Sequence, residues 1–276
     1  MQINKVWATY FSATGTTKKV VGSLADEISA NLGLDKDSFD FTLPAARKQE
    51  RHFSEKDLVI LGIPVIAGRV PNVLLKYLAT IAGHNALGIP VCVYGNRNFD
   101  DALIELRDIM EKGGFRIAAA AAFIGEHSFS TILGAGRPDD SDMKTVKIFA
   151  ARVAQKLLDM AGRDKLAPLA VKGTPYPYRG YYQPRDRQGH PVDIRKVKPL
   201  TNAALCTDCK ICAEVCPMGS IDFNDVNIYN GICIKCCACI KKCPVNAKYY
   251  DDPGYLYHKQ ELEEEFMRRA EPDLFI

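Results

Sequence analysis

Hydrophobic residues follow two alternating patterns along the first 160 residues. Short, continuous apolar segments have the length of buried strands, and between them apolar residues recur on one face of a helix. The predicted strands lie at 3–11, 57–63, 90–95 and 115–124, and the predicted helices at 20–32, 71–81, 102–112 and about 141–160. The segment 115–124 fits both elements, because its five consecutive alanines favour helix. Its place in the alternation favours strand, which we predict.

The order of these elements predicts the fold class. Strands that alternate with helices form a parallel sheet covered on both faces. We therefore expect a doubly wound α/β domain with a five-stranded parallel sheet, of which the pattern locates four strands. On such sheets, ligands bind beyond the carboxyl ends of the strands, where the strand order reverses. The loops that follow the strands are therefore the first places to look for a binding site.

The alternating pattern ends near residue 163. Residues 163–200 contain six prolines, which preclude a long helix, and clustered tyrosines, which argue against full disorder. We predict an extended connector that lies against one or both domains. The predicted organisation is a first domain at 1–162, the connector at 163–200, a small α+β domain at 201–253 and a C-terminal tail at 254–276.

Charge is distributed unevenly between the connector and the tail. The connector carries nine Lys and Arg against three Asp and Glu, whereas the tail carries three against six. This pattern is typical of docking surfaces and also of solvated linkers. The formal charge of the whole chain is only +3, which is too small to indicate a nucleic-acid-binding protein.

The expected compartment follows from the apolar segments and the cysteines. The first residues have neither the charged segment nor the cleavage site of a signal peptide. The longest apolar run, Ile117–Ile124, is far shorter than the roughly 20 residues that cross a bilayer. We therefore expect a cytoplasmic protein without a membrane span. Ten cysteines in such a chain indicate metal or redox chemistry rather than disulfides.

Nine of the ten cysteines lie between residues 206 and 243, and eight of them form a repeat. The segments 206–217 and 233–244 both read C-x2-C-x2-C-x3-C-P, and each repeat cysteine of the first lies 27 residues before its counterpart. Zinc, the alternative metal, usually takes two separated pairs of ligands, and neither segment has that form. The candidate metal ligands are Cys206, Cys209, Cys212, Cys216, Cys233, Cys236, Cys239 and Cys243.

The repeat resembles that of bacterial ferredoxins with two [4Fe–4S] clusters, in which the fourth cysteine of each run binds the other cluster. The resemblance assigns Cys206, Cys209, Cys212 and Cys243 to one cluster, and Cys233, Cys236, Cys239 and Cys216 to the other. Short β-prone stretches at 221–223 and 248–250 are expected to form two strands that close this small domain. Cys237 stands outside the repeat as a bystander thiol, and Cys92 fits a buried position in a strand.

A hydroxyl-rich loop follows the first predicted strand. It reads Ser12-Ala13-Thr14-Gly15-Thr16-Thr17 and opens the first predicted helix. The unpaired N–H groups of a helix N-terminus suit a phosphate, and Gly15 lets the backbone approach the ligand closely. The loop matches neither the P-loop nor the GxGxxG motif, which argues against ATP and dinucleotides. An ordinary Ser/Thr helix cap is the alternative.

This loop resembles the FMN phosphate loop of flavodoxins, which implies phosphate contacts from Ser12, Thr14, Gly15, Thr16 and Thr17. Flavodoxins hold the flavin ring with the loops after the third and fourth strands. The corresponding residues here are Pro64, Val65, Ile66, Ala67, Gly68 and Arg69 in the first ring loop, and Gly95, Asn96, Arg97 and Asn98 in the second. The first ring loop has no aromatic residue, so Tyr94 or Phe99 would stack on the flavin instead, or a ring face would be open to a partner.

Three further side chains near this edge have two interpretations each. His127, in the loop after the last predicted strand, is either a contact to the flavin or a substrate, or a surface or capping histidine. Arg69 and Arg97 either face carbonyl oxygens of the flavin or are solvated.

The whole chain resembles fused flavodoxin–ferredoxin proteins over about 3–160 and 200–252. The resemblance implies electron transfer between FMN and two [4Fe–4S] clusters, with a redox partner protein or a small-molecule acceptor at the ends. The alternative is an FMN-dependent reductase of a small molecule, with a pocket lined by His127, Phe129 and connector tyrosines. The sequence contains neither a recognisable catalytic triad nor a second nucleotide loop, so oxidation of NAD(P)H is not indicated.

Overall fold

The computed structural model describes residues 3–160, 162 and 166–276. Residues 1, 2 and 161 of the predicted first domain and 163–165 of the predicted connector lie outside the described residues. The strands are β1 (Lys5–Tyr10), β2 (Asp35–Asp40), β3 (Asp57–Pro64), β4 (Leu87–Tyr94), β5 (Arg116–Ile117), β6 (Ala120–Ile124), β7 (Leu200–Thr201), β8 (Lys248–Tyr249) and β9 (Asp273–Phe275). The α-helices are α1 (Thr16–Leu32), α2 (Asn72–Leu78), α3 (Ala102–Lys112), α4 (Asp140–Asp159), α5 (Ile211–Glu214), α6 (Ala238–Lys241) and α7 (Pro253–Glu265).

The main sheet has the strand order β2-β1-β3-β4-β6-β9, and the short β5 pairs with β4 as well. The pairs from β2 to β6 are parallel, whereas β9 is antiparallel to β6. With β5 and β6 counted as one interrupted strand, the parallel part has the order 2-1-3-4-5 of flavodoxin-like doubly wound folds. The predicted fold class is confirmed. The antiparallel strand β9, which comes from the C-terminal tail, is an addition to the five predicted parallel strands.

Different helices bury the two faces of the sheet. α1 and α4 pack together over one face, and α2 and α3 cover the other. The first helix pair contributes Val20, Val21, Leu24, Ile28, Val146, Phe149, Val153 and Leu157 to the core. α1 lies very close to β3, because a Cβ on Gly62 would be only 2.3 Å from Cγ2 of Val21. This close packing fixes the N-terminus of α1 beside the carboxyl end of β3.

The structure differs from the predicted elements at three places. The hydrophobic pattern did not locate β2, because its residues are mostly exposed at the edge of the sheet. The predicted strand 115–124 is two strands, β5 and β6, interrupted at Ala118 and Ala119. The predicted helix 71–81 ends at Leu78, although Ile81 is still buried.

The cysteine-rich segment folds as a small domain around β7 and β8, which form an antiparallel pair. The predicted strand at 221–223 is wrong, since Ile221 makes only an isolated bridge with Tyr229 and the partner of β8 is β7. The domain's own buried cluster contains only Ile221, Val226 and Cys239. So small an apolar core supplies little folding free energy. A bound prosthetic group would therefore contribute much of the stability of this domain.

The connector lies along the first domain, beside the N-terminus of α3. The buried carboxylate of Asp101 accepts backbone hydrogen bonds from Thr174 and Arg179, both at 2.8 Å. The hydroxyl of Tyr181 donates to the carbonyl oxygen of Val70 at 2.9 Å. The tyrosines that argued against disorder are therefore part of the contact between the connector and the first domain.

The C-terminal tail returns to the first domain through α7 and β9. The buried Asn96 receives it: its Nδ2 donates to the carbonyl oxygens of Phe266 and Arg268 at 2.6 and 2.7 Å, and its Oδ1 accepts from the N–H of Ala270 at 3.2 Å. In the part of the chain that the structure describes, no helix is both long enough and apolar enough to span a membrane.

We expect the change Asn96→Gly to lower the free energy of unfolding by about 2–3 kcal/mol, because it leaves buried polar groups of the tail without partners. Glycine avoids added strain, since Asn96 has a φ of 64°. The measurement is urea denaturation combined with hydrogen exchange at β9. The control is Asn98→Gly, at the exposed end of the same loop, for which we expect a loss below about 1 kcal/mol. Equal losses in the two variants would contradict this role of Asn96.

Candidate cofactor sites

The hydroxyl-rich loop stands between β1 and α1, at the carboxyl edge of the sheet. Gly15 has a φ of 97° and directly precedes the helix, where it has no capping side chain of its own. Ser12 is buried, and hydrogen bonds hold both its backbone and its side chain. Its N–H donates to Thr42 Oγ1 at 2.8 Å, and its Oγ accepts from the N–H of Lys18 at 3.0 Å. Thr14 and Thr16 are partly exposed, whereas Thr17 is buried against the helix. A preformed, hydroxyl-rich helix N-terminus of this kind fits a phosphate group.

The first ring loop forms a tight turn after β3. Ile66 and Arg69 exchange two backbone hydrogen bonds of 3.1 Å, and Ala67 and Gly68 both have positive φ. Val65 donates its N–H to the carbonyl oxygen of Val93 at 2.9 Å, which ties the turn to β4. Pro64, Val65, Ile66 and Ala67 are partly exposed, while Gly68 is buried. The backbone of this loop is therefore rigid and available to a ligand.

Arg69 points away from this edge. Its guanidinium donates two hydrogen bonds to the buried carboxylate of Glu105, at 2.8 and 2.6 Å. It also lies over the rings of Tyr178 and Tyr181. Arg69 is thus neither solvated nor directed at a flavin, and its role is to fix the connector to α3.

The residues of the second ring loop make different contacts. Asn96 is occupied by the tail and is not free to contact a flavin ring. Arg97 is paired with Asp100 and lies 4.5 Å from the centroid of the Tyr182 ring. Gly95 is pressed against His127, since a Cβ there would lie 2.5 Å from His127 Cδ2. Asn98 is exposed.

His127 is partly buried between the two domains. Its Nδ1 accepts a hydrogen bond from the N–H of Phe129 at 3.2 Å, which leaves the proton on Nε2. Burial, together with the smaller effects of the nearby His258, Lys241 and Arg97, lowers the pKa of His127 to about 3. The side chain is therefore neutral at physiological pH and is a hydrogen-bond donor through Nε2.

Aromatic side chains from outside the first domain surround the ring loops. The N–H of Tyr182, in the connector, donates to the carbonyl oxygen of Ala67 at 2.9 Å, and its ring stacks on His258 at 5.8 Å. Tyr94 and Phe99, the expected substitutes for a stacking residue, are buried and pack on each other. Tyr182 is therefore the aromatic residue that lies beside both ring loops, and only its tertiary contacts identify it.

The eight repeat cysteines line two separate small cavities, four at each. Cys206, Cys209, Cys212 and Cys243 line one, which we call the distal quartet. Cys216, Cys233, Cys236 and Cys239 line the other, which we call the proximal quartet. Each cavity thus combines three cysteines of one run with the fourth cysteine of the other run. In the described part of the chain, no three His, Cys, Asp or Glu side chains meet in a geometry that holds one metal ion.

The surroundings favour the neutral form of some of these thiols and the ionised form of others. Burial raises the pKa of Cys236 to about 12, and it also raises that of Cys239. For Cys243, burial also raises the pKa, but backbone N–H groups outweigh it and the net shift is downward. Backbone N–H groups donate to Cys216 Sγ at 3.3 Å, from Ser220, and to Cys243 Sγ at 3.2 Å, from Ala247. Thiolates in the proximal quartet therefore need a cationic group beside them, which is the chemistry that iron supplies.

The proximal quartet lies against the first domain. Ala238 is completely buried in the core beneath α2 and α3, and Ile234 and Cys236 pack on the same core. Lys241 pairs with Glu126 and donates to the carbonyl oxygen of His127 at 2.9 Å. Arg47 donates to the carbonyl oxygen of Pro217 at 2.5 Å. The distal quartet is farther out, and its Cys209 is exposed.

An aromatic series leads from the ring-loop edge to the proximal quartet. The ring centroids of His127 and Phe129 are 5.2 Å apart, those of Phe129 and Tyr255 are 4.8 Å apart, and those of Tyr255 and Tyr250 are 3.9 Å apart. The hydroxyl of Tyr250 lies 3.7 Å from Cys233 Sγ. The buried Cys237, outside both quartets, lies 3.5 Å from the hydroxyl of Tyr255. We call Phe129, Tyr255 and Tyr250 the aromatic bridge.

Comparisons with known proteins find a family match in the cysteine-rich segment and structures similar to about half of the chain. Residues 199–222 match the family described as 4Fe-4S binding domain, a range that includes the first cysteine run and ends before the second. No curated protein matches the chain. The first domain is flavodoxin-like by its strand order, and a 4Fe-4S binding domain follows it in the same chain.

Solved flavodoxin structures are similar to about half of this chain. One from the domain Archaea is 16% identical, with 56% of this chain and 99% of that chain covered and a TM-score of 0.40. One from Streptococcus pneumonia is 19% identical, with 55% and 99% covered and a TM-score of 0.38. A Fusobacterium nucleatum flavodoxin mutant bound to flavin mononucleotide is 18% identical, with 56% and 98% covered and a TM-score of 0.37.

The lowered pKa of His127 predicts a loss of stability in mild acid. Above about pH 6.5, both the folded and the unfolded states carry a neutral His127. As the pH falls below 6.5, only the unfolded state takes up the proton, until the folded pKa of about 3 is reached. Between pH 7.5 and 5.5 this lowers the free energy of unfolding by at most about 1.4 kcal/mol. Solvent screening at this partly exposed side chain makes the loss smaller.

The measurement is the difference in Tm between pH 7.5 and pH 5.5. We expect this difference to be smaller in His127→Asn than in the wild type, because asparagine does not titrate. His84→Asn, which changes an exposed histidine, should keep the wild-type difference. A wild-type acid sensitivity that survives in His127→Asn would contradict the assignment.

Proposed function

We propose that this protein passes electrons between FMN and two [4Fe–4S] clusters within one chain, and so links an external donor to an external acceptor. FMN exchanges one or two electrons and the clusters exchange one at a time. The observation that carries the proposal is the proximal quartet, whose four cysteines line one cavity beside the core of the flavodoxin-like domain. The role of the polypeptide is to position FMN and the clusters and to tune their reduction potentials.

For FMN, we propose that the phosphate binds at Ser12, Thr14, Gly15, Thr16 and Thr17. The positive φ of Gly15 and the position of this hydroxyl-rich loop at the N-terminus of α1 support this assignment. The first ring loop, from Pro64 to Gly68, contacts the flavin ring through its rigid backbone. Of the second ring loop, we propose Gly95, Arg97 and Asn98 as ring contacts. His127 is proposed beside them, and Tyr182 of the connector joins this set.

For the clusters, we propose the proximal quartet as the ligands of one and the distal quartet as the ligands of the other. The alternation of the two cysteine runs around each cavity supports this pairing. The proximal site is the one next to the flavin, because Cys236 packs against the first domain. The distal site serves the external partner, because Cys209 is exposed there.

The aromatic bridge gives this arrangement a specific tuning contact. A hydrogen bond to a cluster sulfur disperses negative charge and so favours the reduced form. The hydroxyl of Tyr250 is in position to donate to Cys233 Sγ, and the stack on Tyr255 holds its ring in place. Tyr250 is therefore expected to raise the reduction potential of the proximal cluster.

The composition and the ligand pairing are tested together. Protein made without oxygen should contain about eight irons and one FMN per chain. Cys216→Ser and Cys243→Ser should each lose about half of the iron, but from different clusters. In Cys216→Ser, flavin reduction should no longer be followed by rapid reduction of the remaining cluster, whereas in Cys243→Ser it should be. Rapid mixing with optical and EPR detection measures both steps.

The control for these variants is Cys237→Ser, which changes a buried cysteine outside the repeat and should keep about eight irons. The proposal fails if wild-type protein made without oxygen binds neither iron nor FMN. It also fails if the clusters stay oxidised once the flavin has been reduced at a sufficiently low potential.

The tuning contact is tested with Tyr250→Phe, which removes the hydroxyl and keeps the stacked ring. We expect the reduction potential of one cluster to fall and that of the other to stay unchanged, as measured by EPR-monitored redox titration. Tyr249→Phe removes a hydroxyl from the exposed neighbouring residue and should change neither potential. If Tyr250→Phe leaves both potentials unchanged, Tyr250 does not tune the cluster.

A further inference from the structure

A buried lysine stands between the two cysteine quartets. Lys248, in β8, is only 3% exposed and lines the cavity of the distal quartet. Its ammonium donates one hydrogen bond to the carbonyl oxygen of Val226 at 2.5 Å and another to the hydroxyl of Tyr229 at 3.3 Å. Tyr229 in turn lines the cavity of the proximal quartet. Lys248 and Tyr229 together therefore connect the two cavities.

The charge of Lys248 has no carboxylate beside it. Among the described residues, no Asp or Glu side chain lies within ion-pair distance of its ammonium. Its contacts are the two oxygens of Val226 and Tyr229 and the Tyr229 ring, whose centroid is 5.2 Å away. Lysines are rarely buried so deeply without a negative partner, because moving the charge out of water is costly. The burial of Lys248 therefore indicates a negative partner other than a carboxylate.

Thiols of both quartets are close enough to be affected by this charge. Burial raises the pKa of Cys212 in the distal quartet, and Lys248 counteracts that rise. In the proximal quartet, burial and the neighbouring thiols raise the pKa of Cys239, and Lys248 counteracts that rise as well. Cysteines bind iron as thiolates, so four of them around a cluster form a negative group of the kind that Lys248 lacks.

The cross-strand neighbour of Lys248 gives an independent observation at the distal cavity. Thr201 is opposite Lys248 in the β7–β8 pair and lines the same cavity. Its Oγ1 is buried, and in the described part of the chain it has no hydrogen-bond partner. Because buried hydroxyls are normally paired, this one indicates an acceptor within the cavity, and the sulfur atoms of a cluster are acceptors.

We propose that Lys248 is the shared counter-charge of the two clusters and raises the reduction potentials of both. This inference rests on the proposed function, and it names the residue that makes the clusters better acceptors for electrons from the flavin. Each reduction adds one electron from the reduced flavin, and so one negative charge, to a cluster, with no proton transfer to or from Lys248. A nearby positive charge stabilises that reduced form, and burial keeps solvent from screening the attraction.

The experiment is an EPR-monitored redox titration of the full chain made without oxygen. Lys248→Met removes the charge and keeps the length of the side chain, and Lys248→Gln removes the charge and keeps a hydrogen-bond donor. In both variants, we expect the equilibrium constant for reduction of each cluster to fall at least about tenfold, which is about 59 mV for a one-electron couple. Both potentials should fall together, whereas Tyr250→Phe is expected to lower only one.

Two further variants separate charge from packing and from exposure. Lys248→Arg keeps the positive charge and should leave both equilibrium constants within about threefold of the wild type. Lys198→Met removes an exposed charge that lies over the same Tyr229 ring, 5.5 Å from its centroid. Solvent screens that charge, so we expect a change below about threefold. Iron analysis accompanies each titration.

The proposal is overturned if a neutral variant of Lys248 binds about eight irons and keeps either cluster at its wild-type potential. It is also overturned if Lys198→Met lowers the two potentials as much as Lys248→Met does. If both neutral variants lose iron, Lys248→Arg decides between the two roles. Retained iron in Lys248→Arg supports a counter-charge, whereas loss of iron there as well shows a packing role and overturns the proposal.

These outcomes are distinguishable from a failure of the electron-transfer proposal. A wild-type protein that binds no iron would overturn both proposals. A wild-type protein whose clusters accept electrons from the flavin, with potentials that do not respond to the neutral variants, would overturn only the role of Lys248.

Discussion

Buried thiols cannot ionise without positive charge beside them, and this constraint connects the two parts of the molecule. The proximal quartet is packed on the first domain, and there burial raises the pKa of Cys236 to about 12. The small domain has little apolar core of its own, so its folding free energy must come from bound iron and from contacts with its neighbour. The same packing of Ala238 and Ile234 therefore stabilises the small domain and fixes the proximal quartet relative to the first domain.

The unequal charge of the connector and the tail is explained largely by contacts within the chain. Arg187 of the connector pairs with Glu264 of α7, and Lys172 pairs with Asp273 of β9. Such exposed pairs each contribute little free energy, so their main effect is on specificity. The buried contacts of Asp101 and Asn96 hold the two segments more firmly. Connector and tail together enclose the second ring loop, which in a flavodoxin-like domain alone would face solvent.

Features with a local sequence signal were predictable, and features that depend on tertiary contacts were not. The repeat predicted the eight candidate ligands, and its resemblance to bacterial ferredoxins implied the two sets of four that line the two cavities. The parallel sheet with helices on both faces followed from the alternation of apolar segments. In contrast, nothing near Asn96 in the sequence indicates that it receives a segment 170 residues away. Tyr182 is equally hidden, since its place beside Ala67 depends on the path of the connector.

Strand β9 covers one edge of the sheet, and the segment that leads to it contacts the second ring loop. In a sheet of order 2-1-3-4-5, the last strand is an edge with unpaired backbone groups, here the alanine-rich β6. β9 pairs with Ala120–Ala122 and covers that edge. To reach it, the chain must pass the end of β4, where Asn96 and Arg137 bind its carbonyl groups. The tail that protects the edge therefore also fixes the second ring loop, the loop that we propose to contact the flavin.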